Sequence, residues 1–142
     1  MKSFALKIVT PDGIQYEGQA EELIVRTTTG DMGFLARHCN AVAPLGMGRA
    51  TIVIDGKKRY AACIGGMVSV VNGAVSLVPT TFEWAENIDV ARAEASKKRA
   101  EKVLADKSAT NTEIALAEAR LKRALIRTGV AAYKPHNKNR LS

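Results

Sequence analysis

Cysteine is scarce in this 142-residue chain. Cys39 and Cys63 are the two present, far apart and in no CxxC arrangement, so neither a disulfide framework nor a zinc site is expected. Aromatic residues are few, three Phe, three Tyr and one Trp, too sparse to interleave with Lys and Arg on a base-stacking sheet. No window approaches the roughly eighteen apolar residues that a membrane span needs. The opening MKSFALKIVTPDG carries no apolar stretch of signal-peptide length, so a soluble protein without direct membrane insertion is expected. There is no P-loop, no GxGxxG and no nucleophile-elbow serine, and His38 and His136 stand in unrelated contexts. These absences point to a protein that binds rather than catalyses, with no catalytic set and no metal.

What is present divides the chain in two. The formal charge is +7, and its location is informative: residues 1–86 hold eight Lys/Arg against eight Asp/Glu, while residues 87–142 hold thirteen against six. All the excess positive charge therefore lies in the second part.

Residues 1–86 read as short strands. Phe4, Leu6 and Ile8 alternate with polar or small neighbours up to the turn Pro11-Asp12-Gly13, and a short strand follows at 14–17. Another runs from Glu22 to Thr28. Asp55-Gly56 separates strands at 50–54 and 57–64, and Asn72-Gly73 separates strands at 68–71 and 74–78. Both dipeptides suit the type I′ turn, which requires positive φ at its two central residues. Gly30-Asp31-Met32-Gly33 reads as a tight turn. Strands this short with turns this frequent predict an antiparallel β-sandwich or barrel.

Beyond Ala85 the chain becomes helical, with no Gly or Pro from Ile88 to Lys107 and with Asn87 or Asp89 as N-cap. Thr110-x-x-Glu113 is a capping box for a second helix ending near Thr128, with Gly129 suited to the C′ position. An α+β chain results: an antiparallel β-sandwich or barrel over 1–86, a two-helix hairpin over 87–133, and a basic flexible tail over 134–142. Thirteen alanines between Ala85 and Ala132 favour helix but offer little apolar area, which suits either a weakly glued hairpin that docks and undocks or one packed permanently through small residues. Each helix of about 18 residues would span about 27 Å, and opening the hairpin would roughly double its reach.

Two constellations stand out. Arg120, Arg123 and Arg127 share one helical face, with Lys122 adjacent, which reads either as a solvated face or as a docking stripe for an acidic surface or phosphates. Asp89 and Arg92 are most simply a cap and an i,i+3 ion pair. The alternative class is a small β-barrel nucleic-acid-binding protein with a basic helical tail, which the neutral β-region and sparse aromatics rank second.

Four marks in chain order resemble the epsilon family of bacterial F-type ATP synthases. They are Val9-Thr10-Pro11-Asp12-Gly13, Gly30-Asp31-Met32-Gly33-Phe34-Leu35 with His38, Gly65-Gly66-Met67-Val68-Ser69-Val70, and Ile88-Asp89-Val90-Ala91-Arg92-Ala93. The resemblance implies a β-sandwich of about ten strands followed by two antiparallel helices, in a non-catalytic rotor subunit on the central stalk, a regulatory inhibitor of ATP hydrolysis in a proton- or sodium-translocating complex at the cytoplasmic face of the membrane. It implies the gamma subunit and the c-ring as partners, with the alpha and beta subunits of the catalytic head reached by the extended helices, and no nucleic acid. It places Asp31 and His38 at the c-ring, and Arg120, Lys122, Arg123 and Arg127 on an inhibitory basic face. No cofactor is required, but a regulatory ATP is implied on Glu83, Ile88, Asp89, Arg92, Ala93, Arg123 and Arg127; the same motif also has a purely structural use. Relatives carry Leu-Pro-Gly-His where this chain has Leu35-Ala36-Arg37-His38, so the loop around His38 departs from the family pattern.

Overall fold

The computed structural model describes residues 2–133, so the basic tail expected at 134–142 lies outside the described residues, as does His136. Eight strands precede two helices: β1 (Phe4–Thr10), β2 (Gly13–Ala20), β3 (Glu22–Thr27), β4 (Gly30–Leu35), β5 (Ala41–Pro44), β6 (Met47–Ile54), β7 (Lys57–Val71), β8 (Ala74–Trp84), α1 (Val90–Ala105) and α2 (Asn111–Ala131). The strands pair in the order β2-β1-β8-β7-β6-β3-β4, with β5 added on β7. All pairings are antiparallel except β1 with β8.

The expected strand count of ten becomes eight because β7 and β8 are long and each serves two layers. Residues 57–64 of β7 pair with β6, whereas residues 67–70 pair with β5. Between them lie Gly65 and Gly66, with φ of 68° and 96°. A Cβ on Gly66 would fall 2.0 Å from the Val78 carbonyl oxygen, so only glycine permits β7 to run on past β8 here. Counting the halves of β7 and β8 separately would restore ten.

The type I′ signals are realised, with Asp55 and Gly56 at φ 52° and 74° and Asn72 and Gly73 at 51° and 81°. Gly30–Gly33 is a correction: it is not a turn but the first part of β4, since Thr28-Thr29 supplies the reversal and Thr27 Oγ1 donates to the Gly30 carbonyl at 2.7 Å. Phe4, Leu6, Ile8, Leu23, Val25, Phe34, Ile52, Val68, Val70, Leu77, Phe82 and Trp84 close the sandwich into one core. Cys63 lies in that core, where burial pushes its thiol up to about 12.

The helices begin where expected. Asp89 caps α1 by accepting from the Arg92 amide at 3.0 Å, and Thr110 caps α2 by accepting from the Glu113 amide at 3.2 Å. At the hairpin turn, Asp106 accepts from the Ser108 hydroxyl and amide, which holds its carboxyl below the usual range. Gly129 is not the C′ residue. α2 runs through it to Ala131, because Val130 and Ala131 are buried against Ala62, Ala85 and Ile88, and that contact outweighs the cost of a helical glycine.

The seam between the helices is made of alanine. Ala93 and Ala100 of α1, and Ala117, Ala124 and Ala131 of α2, are buried at seven-residue spacing. Several of the larger apolar side chains lie outside it: Val90 is 43%, Leu116 52% and Leu125 48% exposed.

Candidate functional site

A cleft of about 830 Å³ opens between the hairpin and the sandwich. Its sheet wall is Ile64 on β7 with Thr81 and Glu83 on β8, and its helical walls carry Ser96, Arg99 and Lys102 from α1 and Arg120, Arg123 and Arg127 from α2. Strand register sets the sheet wall, since Ile64 opposes Thr81 and Ala62 opposes Glu83, facing away from the core. Helical spacing sets the other two walls.

Arg127 Nε donates to Glu83 Oε2 at 3.1 Å, and its Nη2 lies 3.1 Å from the same oxygen. Among the described residues no carboxylate lies within ion-pair distance of Arg99, Lys102, Arg120 or Arg123. With Glu113 also on its lining, the cleft holds five cations against two carboxylates, one of them paired with Arg127. Such a set favours an anionic occupant, because guanidinium forks hold phosphate or carboxylate oxygens bidentately.

The structure thus brings together Glu83, Arg120, Arg123 and Arg127. Lys122 points elsewhere, into a second groove shared with Ile126, Arg49 and Arg26. Ile88, Asp89, Arg92 and Ala93 do not line the cleft. Ile88 is buried in the plug beneath α2, Asp89 is the cap, Arg92 is exposed at the base of α1 and Ala93 is in the seam. The expected Asp89–Arg92 ion pair is not formed, since Asp89 engages the Arg92 amide instead.

Sequence reading missed Ser96, Arg99 and Lys102. A signal was available: Ser96, Arg99, Ala100 and Val103 follow the i, i+3, i+4, i+7 pattern of one helix face, and all four line the cleft.

Asp31 and His38 sit at the two ends of β4. Asp31 opposes Arg26 on β3 and pairs with its Nε at 2.9 Å. His38 packs on Phe34 with ring centroids 4.9 Å apart and donates from Nδ1 to the Cys39 carbonyl at 2.7 Å. It lines a different groove, with Lys2, Arg37 and Asn72. Phe4, Phe34, Phe82 and Trp84 are all buried, so those rings are not available to stack on bases. No described helix is long and apolar enough to cross a membrane.

Comparison with known proteins covers nearly the whole described chain. Residues 3–85 match the family described as ATP synthase, Delta/Epsilon chain, beta-sandwich domain, and residues 86–132 match ATP synthase, Delta/Epsilon chain, long alpha-helix domain. The ATP synthase epsilon chain of Ruminococcus albus is 44% identical over 135 residues, covering 94% of this chain and 100% of that one. The ATP synthase epsilon chain of Caldanaerobacter subterraneus subsp. tengcongensis is 42% identical over 132 residues, covering 92% and 95%. A chain in the structure of the Euglena gracilis mitochondrial ATP synthase superposes with a TM-score of 0.79 at 22% identity, covering 92% of this chain and 82% of that one. At that identity the likeness is one of fold.

Proposed function

This chain belongs to the ATP synthase delta/epsilon family, and from that premise we propose that it is a central-stalk subunit whose helical hairpin restrains ATP hydrolysis. The catalytic machinery belongs to other subunits of the complex. The sandwich couples the stalk to the c-ring, and the hairpin alternates between the docked form and an extended form that enters the catalytic head.

The observation that carries this reading is where the arginine stripe points. Arg120, Arg123 and Arg127 face the cleft while the hairpin is docked. Extension would turn the same stripe outward, available to an acidic surface of the alpha and beta subunits. Docking and inhibition then compete for one set of side chains.

Partners can be assigned by surface chemistry. Val42 on β5, Met67 and Val71 on β7, and Val78 on β8 share the outer face of the layer away from the hairpin, and are 67%, 44%, 57% and 49% exposed. An apolar group of this kind suits a permanent contact, which we assign to the gamma subunit. Asp31 and His38 are assigned to the c-ring side, placing the subunit peripherally at the cytoplasmic face of the membrane.

The cleft is assigned to regulatory ATP. Arg99, Arg120 and Arg123 would take the phosphates, and a nucleotide bridging hairpin and sandwich would favour the docked form. Ile88, Asp89 and Ala93 support that site by shaping the base of α1.

The test is hydrolysis by the reconstituted complex. A chain ending at Asn87 should raise ATPase activity several-fold over the full chain; unchanged hydrolysis would contradict the brake. Calorimetry of the full chain should show ATP binding weakened about tenfold or more by Arg123→Ala. A flat titration at millimolar ATP would remove the nucleotide from the account.

A further inference from the structure

Three residues stand in one row across the sheet beneath the end of α2. Arg49 on β6 opposes Ala62 on β7, and Ala62 opposes Glu83 on β8. Each meets a different position at the end of the hairpin. Glu83 receives Arg127 at 3.1 Å, Ala62 is buried with Val130 and Ala131, and the Arg49 guanidinium carbon lies 4.1 Å from the centroid of Tyr133. Tyr60, two residues from Ala62 on the same face of β7, completes the contact: its ring centroid is 5.2 Å from that of Tyr133 and 5.5 Å from the Arg49 carbon.

We propose that this row is the latch of the docked hairpin, and that withdrawal of Tyr133 from its contacts with Arg49 and Tyr60 is the step that releases it. The inference rests on the reading that the hairpin undocks.

The remaining contacts are poorly suited to the role. The cations of the cleft all lie on α1 and α2, and its sheet wall offers them a single charged residue, Glu83, already engaged by Arg127. Within the row the grip falls chiefly to Arg49 and Ala62, since the Glu83–Arg127 pair is still 30% and 23% exposed and water screens part of its attraction. The chain enters the hairpin beside the same spot, since Ala85 and Ile88 belong to the cluster that holds Val130 and Ala131. Entry and exit therefore share one pivot, and the grip must act there. Tyr133 follows α2 rather than lying inside it, so it can leave without melting a helical turn. Ala62 is 1% exposed and its small size is what admits α2 to the sheet.

The experiment reads the distance between spin labels on Ser108, at the hairpin turn, and Thr81, on the sheet wall of the cleft, in the full chain carrying Cys39→Ser. The parent chain should give mainly the short, docked distance. Tyr133→Ala and Arg49→Gln should raise the ratio of released to docked molecules about five- to tenfold, from the loss of the cation–π and ring contacts. Tyr133→Phe, which keeps the ring, should behave as the parent, and Ala62→Trp should wedge the hairpin off. If Ala62→Trp releases it while Tyr133→Ala and Arg49→Gln leave the distances unchanged, the latch is overturned and the switching hairpin stands. If Ala62→Trp folds, by circular dichroism, yet gives only the docked distance, undocking itself is contradicted and the latch falls with it.

Discussion

The sandwich and the hairpin are held together by different side chains. In the sandwich, Leu6, Ile8, Leu23, Phe34, Ile52 and Leu77 are essentially without exposed surface, and their large area makes the core a single cooperative unit. In the hairpin, the buried positions are alanines apart from Val130, each alanine methyl contributing about 0.8 kcal/mol on burial. Helix propensity and caps keep the helices formed, while little fixes them to the sheet beyond the end of α2. One chain thus combines a rigid platform with a lightly fixed appendage, the arrangement that the proposed switch requires.

The largest test of this contrast is a pair of leucines. Leu77→Ala, at a wholly buried site, should cost about 2–5 kcal/mol in urea unfolding followed by tryptophan fluorescence, whereas Leu125→Ala, at a 48% exposed site, should stay within about 0.5 kcal/mol. Equal costs would erase the distinction. Next comes the cap. Thr110→Ala should lower helix content on heating by an amount worth about 1 kcal/mol, leaving the fluorescence transition of the sandwich in place.

A third substitution concerns the departure around His38. Arg37 adopts φ 66°, a left-handed conformation that costs a side chain about 1 kcal/mol or more. Arg37→Gly should therefore raise the sandwich midpoint by about 0.5–1 kcal/mol, and a fall would show that the arginine side chain compensates for its backbone. The smallest effect is in pH. The folded state raises the Cys63 thiol to about 12, so the unfolded chain ionises first as pH rises past about 8.5 and stability falls through that window. At about pH 9 the loss should be somewhat under 1 kcal/mol, and Cys63→Ala should flatten the dependence.

Local chemistry was legible in the sequence wherever a turn or cap dictates it. Asp55-Gly56, Asn72-Gly73, Asp89 and Thr110 all do what their residue types require. Features decided by tertiary packing were not. Gly30 and Gly33 look like turn residues yet lie in β4, β7 runs unbroken through Gly65-Gly66, and α2 passes Gly129 because Val130 is buried beyond it. The cleft was half legible. Arg120, Arg123 and Arg127 follow from helical spacing, but Arg99 and Lys102 join them only because the hairpin turn lays α2 back along α1. Nothing in the spacing of Asp89 and Arg92 shows that they stay at the base of α1.

Native-state hydrogen exchange of the full chain tests the contrast most directly. Amides of α1 and α2 should exchange through an opening far cheaper than global unfolding, while the central residues of β7 and β8 should exchange only with it. A hairpin as strongly protected as β7 and β8, exchanging only on complete unfolding, would contradict a platform with a releasable arm.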